Sequence, residues 1–81
     1  MANDVGSFSA GRKVEVVSLK ALKESCMIML DLTARRTRGS ALGEKGRLDF
    51  KLPRTNVWHV TFNTGKRSYF MESELKLLPG D

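Results

Sequence analysis

Residues 57–78 constrain the fold most, because 22 residues hold an alternating strand, a tight turn, a second strand and a closing segment. Trp58, Val60 and Phe62 alternate with smaller or more polar residues, so one face of the first strand is large and apolar. Residues 63–65 end in glycine, which predicts a three-residue hairpin turn with the glycine in the left-handed conformation. The segment therefore predicts half of a small antiparallel β domain.

Further strand signals flank this segment on its N-terminal side and at its end. Leu48, Phe50 and Leu52 alternate with charged residues, so all three are expected to face the core. The predicted strands lie at 13–17, 48–52, 57–62, 67–71 and 75–78, with one turn of 3₁₀-helix at 71–74. We predict a mainly β fold, a five-stranded SH3-like barrel over residues 11–79, whose long first connection contains a short helix or an extra strand. Residues 1–10 are expected to form a flexible tail.

The connection between the first two predicted strands leaves two interpretations open. Apolar residues at helical spacing after Ser18, a good N-cap residue, favour a helix in 18–26. The apolar run at 26–32 fits a buried strand equally well, and it could also form a homodimer interface. Residues 33–41 carry three arginines and no large apolar residue, which predicts a loop.

The net charge of +5 is concentrated in one part of the chain. Residues 35–67 contain nine basic and two acidic side chains, a net charge of +7, whereas the remainder sums to −2. Such asymmetry predicts a positive face that attracts anionic partners, although a solvated surface has the same composition. The candidate binding residues are Arg35, Arg36, Arg38, Arg47, Arg54, Lys66, Arg67 and Tyr69. Tyr69 could stack on a base or pack along the rim of the barrel.

Residue types that support catalysis or metal binding are sparse. The single Cys26 and the single His59 cannot form a Cys/His metal site, and His59 is expected on the outer face of its strand without a catalytic partner. Glu72 and Glu74 are expected to cap backbone donors or face solvent. We therefore predict no enzyme activity, no metal and no cofactor. No apolar run approaches the roughly 18 residues of a membrane span, and a cytoplasmic location is expected.

Four short motifs carry a family resemblance. They are G-x-x-V-x-V at 11–16, a glycine-preceded strand at 46–50, W-x-V-x-F-x-x-G at 58–65 and F-x-x-x-E-L-x-x-L at 70–78. Together they resemble the Tudor-like and KOW-like members of the SH3-like barrels. The last motif is also similar to an accessory subunit of photosystem I and to the variable chain of ferredoxin–thioredoxin reductase. The first resemblance implies a binding module, and the second implies an accessory protein that docks onto an electron-transfer assembly.

These observations predict a small non-catalytic module that binds an anionic partner through its basic face. Nucleic acid is the first candidate, bound mainly through its phosphates. The alternatives are an accessory protein-docking subunit, which would use the same basic face on an acidic protein surface, and a homo-oligomeric structural protein.

Overall fold

The protein is a five-stranded antiparallel sheet with one short α-helix. The computed structural model describes residues 8–21 and 30–79. In chain order the elements are β1 Lys13–Val16, α1 Leu32–Gly39, β2 Lys45–Lys51, β3 Val57–Phe62, β4 Arg67–Met71, one 3₁₀ turn Glu72–Glu74 and β5 Leu75–Leu77. The strand order is β4-β3-β2-β1-β5, and every neighbouring pair is antiparallel. The prediction of a mainly β fold with five strands and a helix in the long first connection is confirmed.

One apolar cluster lies on the inner face of the sheet, and every strand contributes to it. Its buried members are Val14, Val16, Ala41, Leu48, Trp58, Val60, Phe62, Phe70 and Leu75. The predicted core positions Trp58, Val60 and Phe62 are confirmed. Because the two edge strands supply Phe70 and Leu75 to the same cluster, the sheet must curl around it. Phe8 also packs against this cluster, whereas residues 1–7 of the predicted tail lie outside the described residues.

The β3–β4 hairpin has the predicted turn. Phe62 N donates to Lys66 O at 2.8 Å, which leaves a three-residue loop, and Gly65 has φ 93°. Gly46 meets a different requirement, because β2 and β3 approach each other closely at this residue. A Cβ at position 46 would lie 2.8 Å from the Phe62 Cα and clash with the Thr61 carbonyl, so no side chain fits there.

The prediction of a loop at 33–41 is wrong, because residues 32–39 form helix α1. Asp31 caps its start by accepting a hydrogen bond from Ala34 N at 3.0 Å, and arginine is a good helix former. The helix lies against edge strand β4, where the Ser68 hydroxyl donates to Ala34 O at 2.7 Å. A small second cluster, in which Ala34 and Val57 are buried, fixes the helix to the outer side of the sheet.

The other predictions for the first connection concern residues that are largely outside the described ranges. Residues 19–21 form a bend rather than the start of a helix, although the Ser18 hydroxyl accepts a bond from Lys20 N at 3.3 Å. Residues 22–29, which include Cys26 and most of the apolar run, lie outside the described residues. At the end of that run, Leu30 and Leu32 are 87% and 62% exposed.

Candidate functional site

A β-bulge in β2 places an aromatic side chain on the outer face of the sheet. Leu48 pairs with Val60, but Phe50 pairs with His59, so Asp49 is one extra residue on β2. A bulge of this kind reverses the alternation of inward and outward side chains beyond it. Phe50 is therefore 49% exposed, and the prediction that it fills the core is wrong.

Phe50 belongs to a row of three rings across β2, β3 and β4, which we call the aromatic row: Phe50, His59 and Tyr69. The Phe50 and His59 rings are stacked, with centroids 4.8 Å apart and an interplanar angle of 6°. Tyr69 meets the other side of His59 edge-on, at 5.1 Å and 69°. Offset stacking and edge-to-face contacts are the favourable geometries for aromatic rings, so the row is a defined structure on an otherwise polar face.

Asp49, the extra residue of the bulge, holds the centre of the aromatic row. Its Oδ2 accepts hydrogen bonds from His59 Nδ1 at 2.8 Å and from the Thr61 hydroxyl at 2.6 Å. Because a carboxylate accepts and does not donate, the His59 Nδ1 carries hydrogen in this contact. His59 is on the outer face as predicted, but it has a carboxylate partner that its sequence neighbourhood did not show.

Two of the predicted basic residues flank the aromatic row. Arg47 on β2 and Arg67 on β4 both pair with Thr61 on β3, so the three side chains form the next row on the same face. Both arginines are exposed, as is Lys66 in the preceding hairpin. The outer face therefore has exposed cations beside exposed aromatic rings.

A cleft of about 550 Å³ separates α1 from β4 at the border of this face. Its lining combines helix residues with hairpin and β4 residues, including Asp31, Thr33, Thr37, Lys66, Arg67 and Tyr69. Tyr69 thus contacts the aromatic row on one side and lines the cleft on the other. Cations, hydroxyl groups and a phenol ring line one continuous outer surface.

Arg38 is not available to a partner, which corrects its inclusion among the surface binding residues. Its side chain is buried and pairs with Glu74, through Nη1 to Oε1 at 2.8 Å and through Nη2 to Oε2. The guanidinium also donates to Tyr69 O at 3.1 Å and Leu19 O at 3.0 Å, and it covers the Phe70 ring at 5.2 Å. Every contact of this arginine is structural.

Glu74 is fully buried and has the complementary set of contacts. Besides Arg38, its carboxylate accepts from Met71 N at 3.1 Å and from Ala21 N at 3.0 Å. Burial raises the pKa of Glu74, but the hydrogen bond from Arg38, the two backbone donors and the charge of Arg38 together lower that pKa below its usual value. The prediction that Glu74 caps backbone donors holds, and its main partner is Arg38.

The remaining predicted basic residues are dispersed. Arg35 and Arg36 are exposed on α1 and are not among the residues that line the cleft. Arg54 is exposed in the β2–β3 turn, at the opposite end of β3 from Lys66. The structure thus brings Arg47, Lys66, Arg67 and Tyr69 together and leaves the other four apart.

Sequence reasoning missed Phe50 and Asp49 as residues of this surface. Strict alternation assigned Phe50 to the core, and no residue in 48–52 marks a bulge, since the strand has neither glycine nor proline before Pro53. The one available signal was an acidic residue in a strand otherwise flanked by basic residues, opposite a histidine in the next strand.

Comparison with known proteins supports the fold. No family model matches the chain, and no curated protein matches it significantly. The NMR structure of Bacillus subtilis protein YorP is similar to it, with a TM-score of 0.58 and 27% sequence identity over 99% of this chain and 84% of YorP. The chain is thus a small antiparallel five-stranded β protein with a solved structural neighbour. In the described parts of the chain, no helix is long and apolar enough to cross a membrane.

Proposed function

We propose that this protein is a small non-catalytic module that binds nucleic acid through the outer face of β2, β3 and β4. The observation that carries the proposal is the exposed aromatic row beside Arg47, Arg67 and Lys66. Phosphates attract clustered cations, and bases stack on exposed rings, so the two features are complementary to one class of polymer.

The charges support this assignment at two levels. The chain has a net charge of +5, which favours association with a polyanion over long distances. On the outer face itself, the Asp49 carboxylate is occupied by His59 and Thr61, whereas arginine side chains suit bidentate phosphate contacts. The proposed contact residues are Arg47, Lys66, Arg67 and Tyr69, with a cytoplasmic location as part of the same proposal.

The SH3-like assignment belongs to this proposal as well. Strands in the order β4-β3-β2-β1-β5, with a 3₁₀ turn directly before β5, have the layout that the sequence motifs suggested. Small barrels of this type support many functions, so the assignment describes the scaffold and the outer face carries the functional argument.

The test is a titration of the intact chain with labelled nucleic acid at several salt concentrations. Arg47→Ala with Arg67→Ala should weaken binding and reduce the slope of log affinity against log salt by about 1.4 for a single strand. Arg35→Ala with Arg36→Ala is the matched control, because it removes the same charge from exposed positions away from the aromatic row. The control should change both quantities less than the outer-face pair does.

Equal effects of the two double variants would contradict a localised site. Binding no tighter than about 100 μM by the unmodified protein, the weak end of non-specific affinity, would remove the proposal. In that case an acidic protein surface is the next candidate partner for the same cations.

A homo-oligomeric role is a second candidate, and the exposure of Leu30 and Leu32 favours it. Light scattering coupled to size exclusion tests it directly. Replacing both leucines with serine should convert an oligomer to a monomer, and a wild-type protein that is monomeric at high concentration would remove this candidate.

A further inference from the structure

The stack of rings on the outer face ends at Phe50. His59 covers the side of the Phe50 ring that faces β3, with nearly parallel planes. Among the described residues, no aromatic ring stacks on the opposite side of Phe50. One face of an exposed aromatic ring is thus left uncovered, and its partner on the other face is already aligned.

The backbone beside this uncovered face is also open. β1 pairs with β2 up to Arg47, and Leu48 then bonds to Arg12 O and Gly11 N at 2.9 and 2.8 Å. In the described ranges these are the last backbone hydrogen bonds on that side of β2. A planar group can therefore approach the Phe50 ring without displacing a neighbouring strand.

We propose that the uncovered face of Phe50 is the stacking position for one unpaired base, so that the ligand class is single-stranded nucleic acid. This inference rests on the proposed function and makes it more specific. A base within a duplex is stacked on both sides by its neighbours, whereas an unpaired base can be turned onto a protein ring.

The ring is preorganised for this role. The bulge at Asp49 directs Phe50 outwards, and the Asp49 carboxylate holds His59 through Nδ1 at 2.8 Å. Tyr69 supports the other side of His59, so little side-chain freedom remains to be lost when a base binds. Arg47 and Arg67 lie in the adjacent row of the same face, where the phosphates next to the stacked base would be.

Fluorescence anisotropy with labelled oligonucleotides tests the inference on the intact chain. The probes are oligo-dT and oligo-U of about eight residues, within the usual site size of single-strand binding domains, and a duplex of matched length. We expect both single strands to bind more tightly than the duplex. Phe50→Ala should reduce single-strand affinity roughly 5- to 150-fold with an unchanged salt slope, because stacking contributes no charge.

Two variants serve as controls. Leu42→Ala removes another exposed apolar side chain, 61% exposed and outside the aromatic row, and should leave affinity unchanged. Phe50→Trp retains a flat ring and should retain affinity. If Phe50→Ala does not fold, the NMR signals of the Phe50 ring protons in the wild type provide a second measurement, since a stacked base should shift them upfield.

Three outcomes would overturn the inference. If Phe50→Ala binds like Leu42→Ala, or if the duplex binds as tightly as the single strands, stacking on Phe50 is wrong while the proposed function stands. If the wild type binds none of the three probes, both the inference and the proposed function are wrong. A preference for oligo-dT or for oligo-U would identify DNA or RNA as the source of the base.

Discussion

At the scale of single residues, Arg54 has an unusual backbone conformation. It has φ 63°, and it is the one positive-φ residue in the described ranges that is not glycine. Thr55 N donates to Leu52 O at 3.3 Å around Pro53 and Arg54, which is the pattern of a type II turn, and glycine is the preferred third residue of that turn. An exposed arginine thus occupies a position where its own Cβ is unfavourable.

Glycine at this position should relieve that strain. We expect Arg54→Gly to have a free energy of unfolding about 1 kcal/mol higher than Arg54→Ala, because both remove the charge but only alanine keeps the Cβ. Urea denaturation of the two variants measures the difference. Equal midpoints and slopes would contradict the assignment of strain to this residue.

At the scale of elements, helix α1 depends on contacts that lie outside its own sequence. An isolated helix of eight residues is unstable in water, so propensity alone does not explain it. Its stability comes from the Asp31 cap, from the Ser68 hydroxyl bond to Ala34 O and from burial of Ala34 against Val57. The helix in turn covers edge strand β4, which would otherwise be open to pairing with another chain.

The cap at Asp31 can be tested with a matched pair of variants. Asp31→Ala should lower the free energy of unfolding by about 1 kcal/mol, because Ala34 N loses its acceptor. Asp31→Asn keeps a good cap and should change stability by at most a few tenths of a kcal/mol. Chemical denaturation followed by circular dichroism measures both. A similar loss in the two variants would show that charge, rather than capping, is the contribution of Asp31.

At the scale of the whole molecule, the buried pair of Arg38 and Glu74 joins segments that are far apart in the chain. The pair links α1 to the 3₁₀ turn, to β4 through Tyr69 O, and to residues 19–21 through Leu19 O and Ala21 N. Removing one member leaves the other charge buried without its partner, which typically lowers stability by about 3–5 kcal/mol. The pair therefore determines how α1 and the end of the chain pack together.

Acid should unfold the protein through this pair. The pKa of Glu74 is lower in the folded state than in the unfolded chain, so the unfolded state binds more protons as pH falls. The stabilisation by Glu74 is thus fully present above its unfolded pKa of about 4.3 and is lost as pH falls through its folded pKa. We expect the urea midpoint to fall on acidification below about pH 4.3.

A side-chain titration separates Glu74 from the other carboxyl groups. Following its carboxyl carbon by NMR should give a pKa below the usual glutamate value, whereas a value above it would contradict the charged pair. Arg38→Met with Glu74→Gln removes both charges, and its stability should depend less on pH in this range than that of the wild type.

The sequence by itself determined the five strands, the hairpin turn at Gly65 and the inward position of Trp58, Val60 and Phe62. These features depend on local alternation and turn chemistry, which one segment of the chain carries on its own. Only the tertiary structure decided that Phe50 faces outward, that 32–39 is helical and that Arg38 is buried. A bulge depends on the register between two strands, a short helix on what it packs against, and the position of an arginine on a carboxylate 36 residues away.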